Sequence, residues 1–438
     1  MNKLKLMTIV GTRPELIRLS ETIKKADMYF NHVFVHTGQN YDSSLNDIFY
    51  DDLGLRKPDF YLNVVDAGEA VDAVDVVDAV DAGDADNASE NNLGKTMGNI
   101  IAKSYEIMSK VKPDALLILG DTNSCLSAIS AKRLKIPIFH MEAGNRCFDE
   151  NLPEEINRRI VDHISDVNLP YTEHARRYLI SEGVRKEFIF VTGSPMAEVI
   201  LANVEKINNS QVMTNFDLNN LDLNNLNSNN LNSNSLDLNG SDLKNLDLKN
   251  LKNNLKLEEK KYIVLSAHRE ENLDIKENFF SIMNGINDLA DYYKLPIIYS
   301  AHPRSAKLIK KHDFKFRSNV HKLKPFAFTD YINLQKNAFC VVSDSGTLPE
   351  EAAILGFPAV SLRTSTERPE ALDKGRFVIG GIKSRSILSS VDMAVKMFDS
   401  QENPRPVPDY EVYNVSSKVV QLIQGYTDIV NRAIWQKL

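Results

Sequence analysis

Short apolar runs recur along the chain, and most end abruptly in small or ionisable residues. Leu6-Met7-Thr8-Ile9-Val10 leads into Gly11-Thr12-Arg13-Pro14-Glu15, after which Leu16, Ile17, Leu19 and Ile23 keep helical spacing. His32-Val33-Phe34-Val35 ends in His36-Thr37-Gly38-Gln39, and a helix with Ile100, Ile101 and Ile107 precedes the run Ala115-Leu116-Leu117-Ile118-Leu119-Gly120. Ile136-Pro137-Ile138-Phe139 then opens into His140-Met141-Glu142, and 167–170 and 188–193 read as further strands, with a crossing into a second lobe between them. The pattern restarts at Tyr262-Ile263-Val264-Leu265-Ser266 and repeats at 296–300, 339–342 and 359–362. Strand and helix alternating through short connections is the pattern of a doubly wound parallel sheet. The fold class is therefore α/β, with two Rossmann-like lobes. A last helix carries Val415, Val419, Leu422, Tyr426, Ile429 and Ala433 on one face, so it should pack against a lobe.

Two stretches break the pattern. From Asp66 an acid recurs at 69, 72, 75, 78, 81 and 84 among Val, Ala and Gly, a period of three that suits neither a helix face nor a strand face. Residues 66–90 are read as an unstructured surface insertion. In 208–257 leucines recur every five residues, or a multiple of five, amid Asn, Ser and Asp. Without small inward-facing residues this is an asparagine-rich low-complexity insert rather than a solenoid. The expected domains are an N-terminal lobe over 1–170, with the 66–90 insert and completed by a C-terminal helix at 411–438, and a nucleotide-binding lobe over 171–410 containing 208–257.

Composition changes this picture little. Of 438 residues 43% are hydrophobic, as in ordinary globular chains. The net charge is -7, but 66–90 holds nine acids and no base, which leaves the rest of the chain near +2. No Lys/Arg stripe with interleaved aromatics points to nucleic acid. Cys125, Cys147 and Cys340 are odd in number and far apart, which fits neither a disulfide framework nor a structural zinc site. The start of the chain lacks a signal-peptide apolar core, and no later run approaches a membrane span, so the expectation is a cytoplasmic protein with no membrane partner.

The candidate chemistry lies where strands end. The stretch 140–159 supplies His140, Glu142, Arg146, Asp149, Glu150, Glu154, Glu155, Arg158 and Arg159, a poor recipe for a core and a good one for a ligand crevice beyond strand ends. Pro153-Glu154-Glu155 also reads as a helix's first turn. Gly11 before a helix start could offer backbone N–H groups to an anion, with Arg13 and Arg18 adding charge. In the second half, strand ends carry His268-Arg269, His302-Pro303-Arg304, Ser343-Asp344-Ser345-Gly346 and Arg363. Each histidine lies near an arginine, which favours phosphate. One lobe is rich in cations and the other in acids (Asp121, Glu142, Glu154). A diphosphate held by the first, with proton transfer by the second across a shared cleft, suits a nucleoside diphosphate sugar. Neither GxGxxG nor a P-loop occurs, which argues against a dinucleotide cofactor in a standard site and against a Walker-type ATPase.

Taken in order, Gly11-Thr12-Arg13-Pro14-Glu15, Thr37-Gly38-Gln39, Gly120-Asp121-Thr122, Glu142-Ala143-Gly144-x-Arg146, Pro153-Glu154-Glu155-x-Asn157-Arg158, His268-Arg269, Asp344-Ser345-Gly346 and Thr366-Glu367-Arg368-Pro369-Glu370 resemble the non-hydrolysing UDP-N-acetylglucosamine 2-epimerases. Glu142–Asp149 looks more like the capsule and O-antigen branch that forms UDP-N-acetyl-L-fucosamine from its talose epimer. The resemblance implies a glycosyltransferase-B-type fold, a homodimer, a UDP-sugar substrate, and no metal or dinucleotide cofactor. It implies C2 inversion by eliminating UDP to a 2-acetamido glycal and returning it, because C2–H has no adjacent carbonyl to make it acidic. By carry-over Asp121, Glu142 and Glu154 form the acid/base set, with Arg158 beside them. Arg13, His268, Ser345 and Gly346 hold diphosphate, Glu351 the ribose, and Arg363 and Arg368 the sugar. Arg18, Arg146, Arg269 and His302 complete the binding candidates. Arg18 replaces a usual lysine, and Thr347 and Pro349 depart from the usual phosphate loop. A glycosyltransferase of the same fold is the alternative, since fold alone does not decide activity.

Overall fold

The structure, a computed structural model, describes residues 3–39, 49–65, 85–150, 152–214, 257–400 and 406–437. It divides into two units. The first is Met1–Val204 with Ser365–Gly375 and Pro404–Leu438; the second is Glu205–Thr364 with Arg376–Asn403.

In the first unit β1 (Lys5–Val10), β2 (Asn31–His36), β3 (Phe60–Tyr61), β4 (Ala115–Leu119), β5 (Ile138–Met141) and β6 (Val167–Leu169) form one parallel sheet in the order β3-β2-β1-β4-β5-β6. Leu, Ile and Val bury the central strands on both faces, which is why they read as continuous apolar runs. Helices α1 (Arg13–Tyr29), α2 (Ala85–Val111), α3 (Ser127–Arg133) and α4 (Pro153–Ile164) alternate with the strands. Met7, Ile9, Leu116, Ile118, Cys125, Ala128, Ile138 and Val161 lie in one core cluster.

The second unit repeats the plan. β7 (Ile263–Ser266), β8 (Ile297–Ser300), β9 (Val320–Leu323), β10 (Cys340–Ser343), β11 (Ala359–Ser361) and β12 (Val378–Ile379) give the parallel order β12-β11-β10-β7-β8-β9. Helices α5 (Lys276–Tyr293), α6 (Leu348–Leu355) and α7 (Ser384–Asp399) belong to it, with Phe279, Ile282, Ile286, Ile387 and Val391 in its core. Both units are thus doubly wound and Rossmann-like, as the strand–helix alternation predicts, and together they make the glycosyltransferase-B type of chain. Each order reverses once, between β1 and β4 and between β7 and β10, and such reversals are where open α/β sheets take ligands.

Several details differ from the sequence reading. The chain leaves the first unit after Val204 rather than near 170. Beyond β6 it runs back along the sheet edge, Phe190 and Thr192 donating their N–H groups to the carbonyls of Asn168 and Pro170. Of segment 188–193, Phe188 closes a 3-10 turn and 189–193 carry one bridge, Asn168 to Ile189, rather than a regular strand. Segment 365–375 returns to the first unit. The C-terminal helix α8 (Val415–Ala433) packs on α1, but its buried stripe is Val415, Val419, Val420, Ile423, Thr427 and Val430. Ile429 is exposed. Of the acidic tract 66–90, residues 66–84 lie outside the described residues, and 85–90 form the start of α2 instead of insertion. Alanine at 85 and 88 supports helix there. Of the tract 208–257, residues 215–256 likewise lie outside, whereas Ser210 donates to Asp330 and Leu257 is buried.

Candidate active site

Where β1 and β4 part, the first unit gathers a buried cluster of opposite charges. Glu142 follows β5 with φ 65, a left-handed conformation unusual for a side chain of this kind and a mark of functional sites. Gly120, at the tip of β4 with φ 68, makes room for it: a Cβ there would lie 3.2 Å from Glu142 Oε2. Arg18, from α1, donates to Oε2 of Glu142, and Arg368, from the returning segment 365–375, donates to Oε1 at 2.5 Å. Asn145 donates to Oε1 as well, at 3.1 Å. Burial alone would raise the Glu142 pKa, but the two guanidinium groups outweigh it and hold this carboxyl below its usual range.

Asp121 has the reverse balance. Its carboxylate pairs with Arg158 at 2.5 Å, and Asn157 donates to its backbone carbonyl at 3.0 Å. Burial raises its pKa, Arg158 opposes this, and the charges of Glu142, Glu154 and Glu367 add to the rise. Two carboxyl groups just beyond the ends of the neighbouring strands β4 and β5 are therefore shifted in opposite directions, the arrangement that separates a proton carrier from a permanent anion. Glu154, half-buried in the first turn of α4, is the third acid of this group. Its neighbour Glu155 is committed elsewhere: fully buried, it accepts from the Cys147 N–H at 3.1 Å and from Arg158 at 3.1 Å.

Some expected residues are engaged differently. Arg146 is buried, donating to Asp162 at 2.7 Å, to Glu182 at 2.7 and 2.5 Å and to the Asn145 carbonyl at 2.6 Å, so its guanidinium is occupied by the protein itself. His140 lies under the cluster, its ring nitrogens 2.8 Å from the Gly120 carbonyl and 3.0 Å from Asp162. The Gly11 N–H, offered to an anion in the sequence reading, is donated at 2.5 Å to Glu15. Arg13 lies with its guanidinium 5.4 Å from the centre of the Phe49 ring.

Four buried polar atoms at the tips of β1 and β2 lack a hydrogen-bond partner among the described residues: Thr12 Oγ1, His36 Nε2, Thr37 Oγ1 and Gln39 Oε1. Burial also lowers the His36 pKa to about 4. A neutral imidazole and hydroxyls of this kind suit an uncharged, hydroxyl-rich ligand. Thr12, Thr37 and Gln39 stand in the motifs quoted above, but their lack of partners shows only in the fold.

The second unit places His268 and Arg269 after β7 and Ser345 and Gly346 after β10, at its own reversal point. Asp344 binds them together, accepting from the backbone N–H groups of His268 and Arg269 at 2.9 Å each and lying 3.0 Å from His268 Nδ1. Burial opposes ionisation of Asp344, but His268 and these donors hold its pKa well below the ordinary value. His302 lies with its ring 6.0 Å from that of His268, Ser345 shares a 2.9 Å hydrogen bond with Thr347, and Glu351 accepts from Gln335 at 2.7 Å. Arg363 is buried after β11. The candidates thus divide between the units. Arg13, Arg18, Asp121, Glu142, Glu154, Arg158 and Arg368 lie in the first unit, and His268, Arg269, His302, Ser345, Gly346, Glu351 and Arg363 in the second. Among the described residues, no group of three or more His, Cys, Asp or Glu could hold a metal ion.

Two doubly wound units, one of them carrying buried carboxylates clasped by arginines, define an α/β enzyme of the glycosyltransferase-B type. The family model described as UDP-N-acetylglucosamine 2-epimerase matches residues 73–224 and 232–424. A UDP-N-acetylglucosamine 2-epimerase of Methanocaldococcus jannaschii is 30% identical over 407 residues, covering 92% of this chain and 95% of that protein. The structure of UDP-N-acetylglucosamine 2-epimerase from Rickettsia bellii is 40% identical over 100% of both chains, with a TM-score of 0.77. A Methanocaldococcus jannaschii UDP-GlcNAc 2-epimerase solved in complex with UDP-GlcNAc and UDP matches with a TM-score of 0.76 at 28% identity, over 96% of this chain and 99% of that one. The chain belongs to the UDP-N-acetylglucosamine 2-epimerase family and is an isomerase of that non-hydrolysing type.

Proposed function

We propose that the protein reversibly inverts C2 of a UDP-N-acetylhexosamine by eliminating UDP and adding it back. The observation that carries this reading is the opposed acidity of Asp121 and Glu142 in one buried cluster. Loss of UDP leaves positive charge near the anomeric carbon, and a carboxylate that stays ionised, as Glu142 does between Arg18 and Arg368, stabilises that charge. A carboxyl whose pKa is raised holds a proton more readily and can carry it to and from C2, and Asp121 is shifted in that direction. Inversion needs a second proton carrier on the opposite face of C2, and Glu154 is assigned that part. Arg158 stabilises the Asp121 carboxylate once its proton has left. His268, Arg269, Ser345 and Gly346, with Arg13, are assigned to the diphosphate, Glu351 to the ribose, and Arg363 and His302 to the sugar nucleotide more broadly. The orphaned Thr12, His36, Thr37 and Gln39 atoms are available to hydroxyl and amide groups of the same ligand.

The substrate pair is UDP-N-acetylglucosamine and UDP-N-acetylmannosamine, or UDP-N-acetyl-L-fucosamine and its talose epimer. The second pair is favoured by the Glu142–Asp149 segment and would place the enzyme in surface polysaccharide precursor synthesis. We assign a cytoplasmic homodimer on the same resemblance; among the described residues no helix is long and apolar enough to cross a membrane. The test is incubation of each UDP-sugar in deuterated water with proton NMR. Deuterium at C2 and appearance of the epimer are expected for one pair. Release of free sugar, or no change in any donor until an acceptor is added, would replace this reading with a hydrolase or a glycosyltransferase.

A further inference from the structure

We propose that Glu15 is a positioning residue for Asp121. The side chain rises from the first turn of α1 into the gap where β1 and β4 part, and it is buried to 2% exposure. Its Oε2 accepts the Gly11 N–H at 2.5 Å. Its Oε1 accepts the Thr122 hydroxyl, and the Ser124 hydroxyl lies 2.9 and 3.0 Å from the two carboxyl oxygens. None of these donors is charged. Thr122 follows Asp121 directly, and Ser124 lies in the short 3-10 turn Asn123–Leu126 that carries the chain away from it.

Glu15 therefore ties the tip of β1 to the backbone on one side of Asp121, while Asn157 of α4 grips the Asp121 carbonyl from the other. The Asp121 carboxylate must keep its contact with Arg158 and still reach a substrate carbon, and a shift of about 1 Å in such a group can cost about 10²-fold in rate. A buried carboxylate held by neutral donors is a costly way to hold a loop. A glutamine can still accept at one atom, and the hydroxyls can turn to accept from its amide, so Glu15→Gln should keep most of the tie. Leucine cannot.

The catalytic readout rests on the epimerase reading; the structural readout does not. Four proteins are compared: wild type, Glu15→Gln, Glu15→Leu and the double variant Thr122→Val/Ser124→Ala. The last removes the same bonds from the loop side and carries the test should Glu15→Leu not fold. Amide hydrogen exchange across 120–126, read by mass spectrometry, should quicken roughly 10-fold or more in Glu15→Leu and in the double variant, and little in Glu15→Gln. In the same two proteins kcat should fall by about 10²-fold with KM within about two-fold, and the pH dependence of kcat should move, because Asp121 loses its fixed distance to Arg158. Combining Glu15→Leu with the double variant should add no further loss. Unchanged amide exchange at 120–126 in the folded variants would overturn the proposal whatever the activity. Faster exchange with unchanged kcat, or losses that simply add, would overturn it as well. Absence of C2 deuteration by wild type counts against the epimerase reading instead.

Discussion

Glu142 holds a left-handed backbone that costs a side-chain-bearing residue about 1–2 kcal/mol, and Arg18 and Arg368 close on its carboxylate from two parts of the chain. Replacing it by glutamine removes the fixed anion that faces two buried guanidinium groups. Glu142→Gln should therefore lower turnover by about 10²- to 10⁴-fold while UDP affinity, read by calorimetry, changes little. Asp121 makes a pH prediction. Its pKa is raised from the ordinary aspartate value, by burial first, so activity that needs the protonated form should decline at a higher pH than an exposed aspartate would give. Asp121→Asn, which cannot carry the proton, should lower kcat by about 10²- to 10⁴-fold, and the residual activity should lack that limb. Glu15 gives a stability counterpart. Burial lifts its pKa from 4.5 to about 7, with Thr122, Gly11 and Ser124 offsetting part of the rise. The folded value lies above the unfolded one, so the neutral form carries no penalty at low pH and stability falls as pH rises through this window. Between about pH 4 and 8, wild type should lose roughly 3 kcal/mol relative to Glu15→Gln in urea titrations. At this scale the strand ends pointed to Asp121 and Glu142, and the resemblance of Pro153-Glu154-Glu155-x-Asn157-Arg158 to the family motif added Arg158. It could not show that Arg146 is occupied by Asp162 and Glu182, since a buried ion pair and a ligand-binding arginine look alike in one dimension.

Among the elements, the turn after β4 carries the tightest steric condition. Gly120→Ala combines a left-handed backbone with a Cβ 3.2 Å from Glu142 Oε2, so a stability loss of about 1–2 kcal/mol should come with a larger loss of turnover. Stability curves set beside kcat would separate the two effects. The segment 365–375 reaches Glu142 through Arg368 and is fastened by Glu370, which accepts the buried Tyr410 hydroxyl. Long central strands were legible because burial on both faces leaves continuous apolar runs. The edge strands β3, β9 and β12 were not: Val320-His321-Lys322-Leu323 mixes charge with apolar residues, as a half-exposed edge permits. The C-terminal helix was legible as a helix, yet its buried stripe turned out to include Val420, Ile423 and Val430. Two overlapping apolar stripes run along it, and packing on α1 chose between them.

For the whole molecule, the chain crosses between units at residues the sequence does not mark. It passes to the second unit after Val204, returns for Ser365–Gly375, and returns again from Pro404. The two low-complexity tracts carry most of the departure from ordinary composition, and the family model leaves 225–231 unmatched between its two segments. Removing 215–256 with a short glycine linker should leave C2 deuteration within about two-fold of wild type, loop length itself costing little. Extending the deletion back to 208 should reduce stability, because Ser210 and Met213 contact Asp330 and Tyr262. Thermal melts of the two deletions would show the difference.

Periodicity by itself determined the doubly wound class, the two repeats of it, and which strand tips carry ionisable residues, because these follow from local burial and are written residue by residue. Motif order determined the family. Only the tertiary structure decided that Arg18 and Arg368 meet on Glu142, that Asp121 and Glu142 are driven apart in acidity, and that Glu15 takes the Gly11 amide. Charge pairing and desolvation depend on how the fold buries these groups and on which of them it brings together, Arg18 and Arg368 lying 124 and 226 positions from Glu142, and no local pattern encodes that.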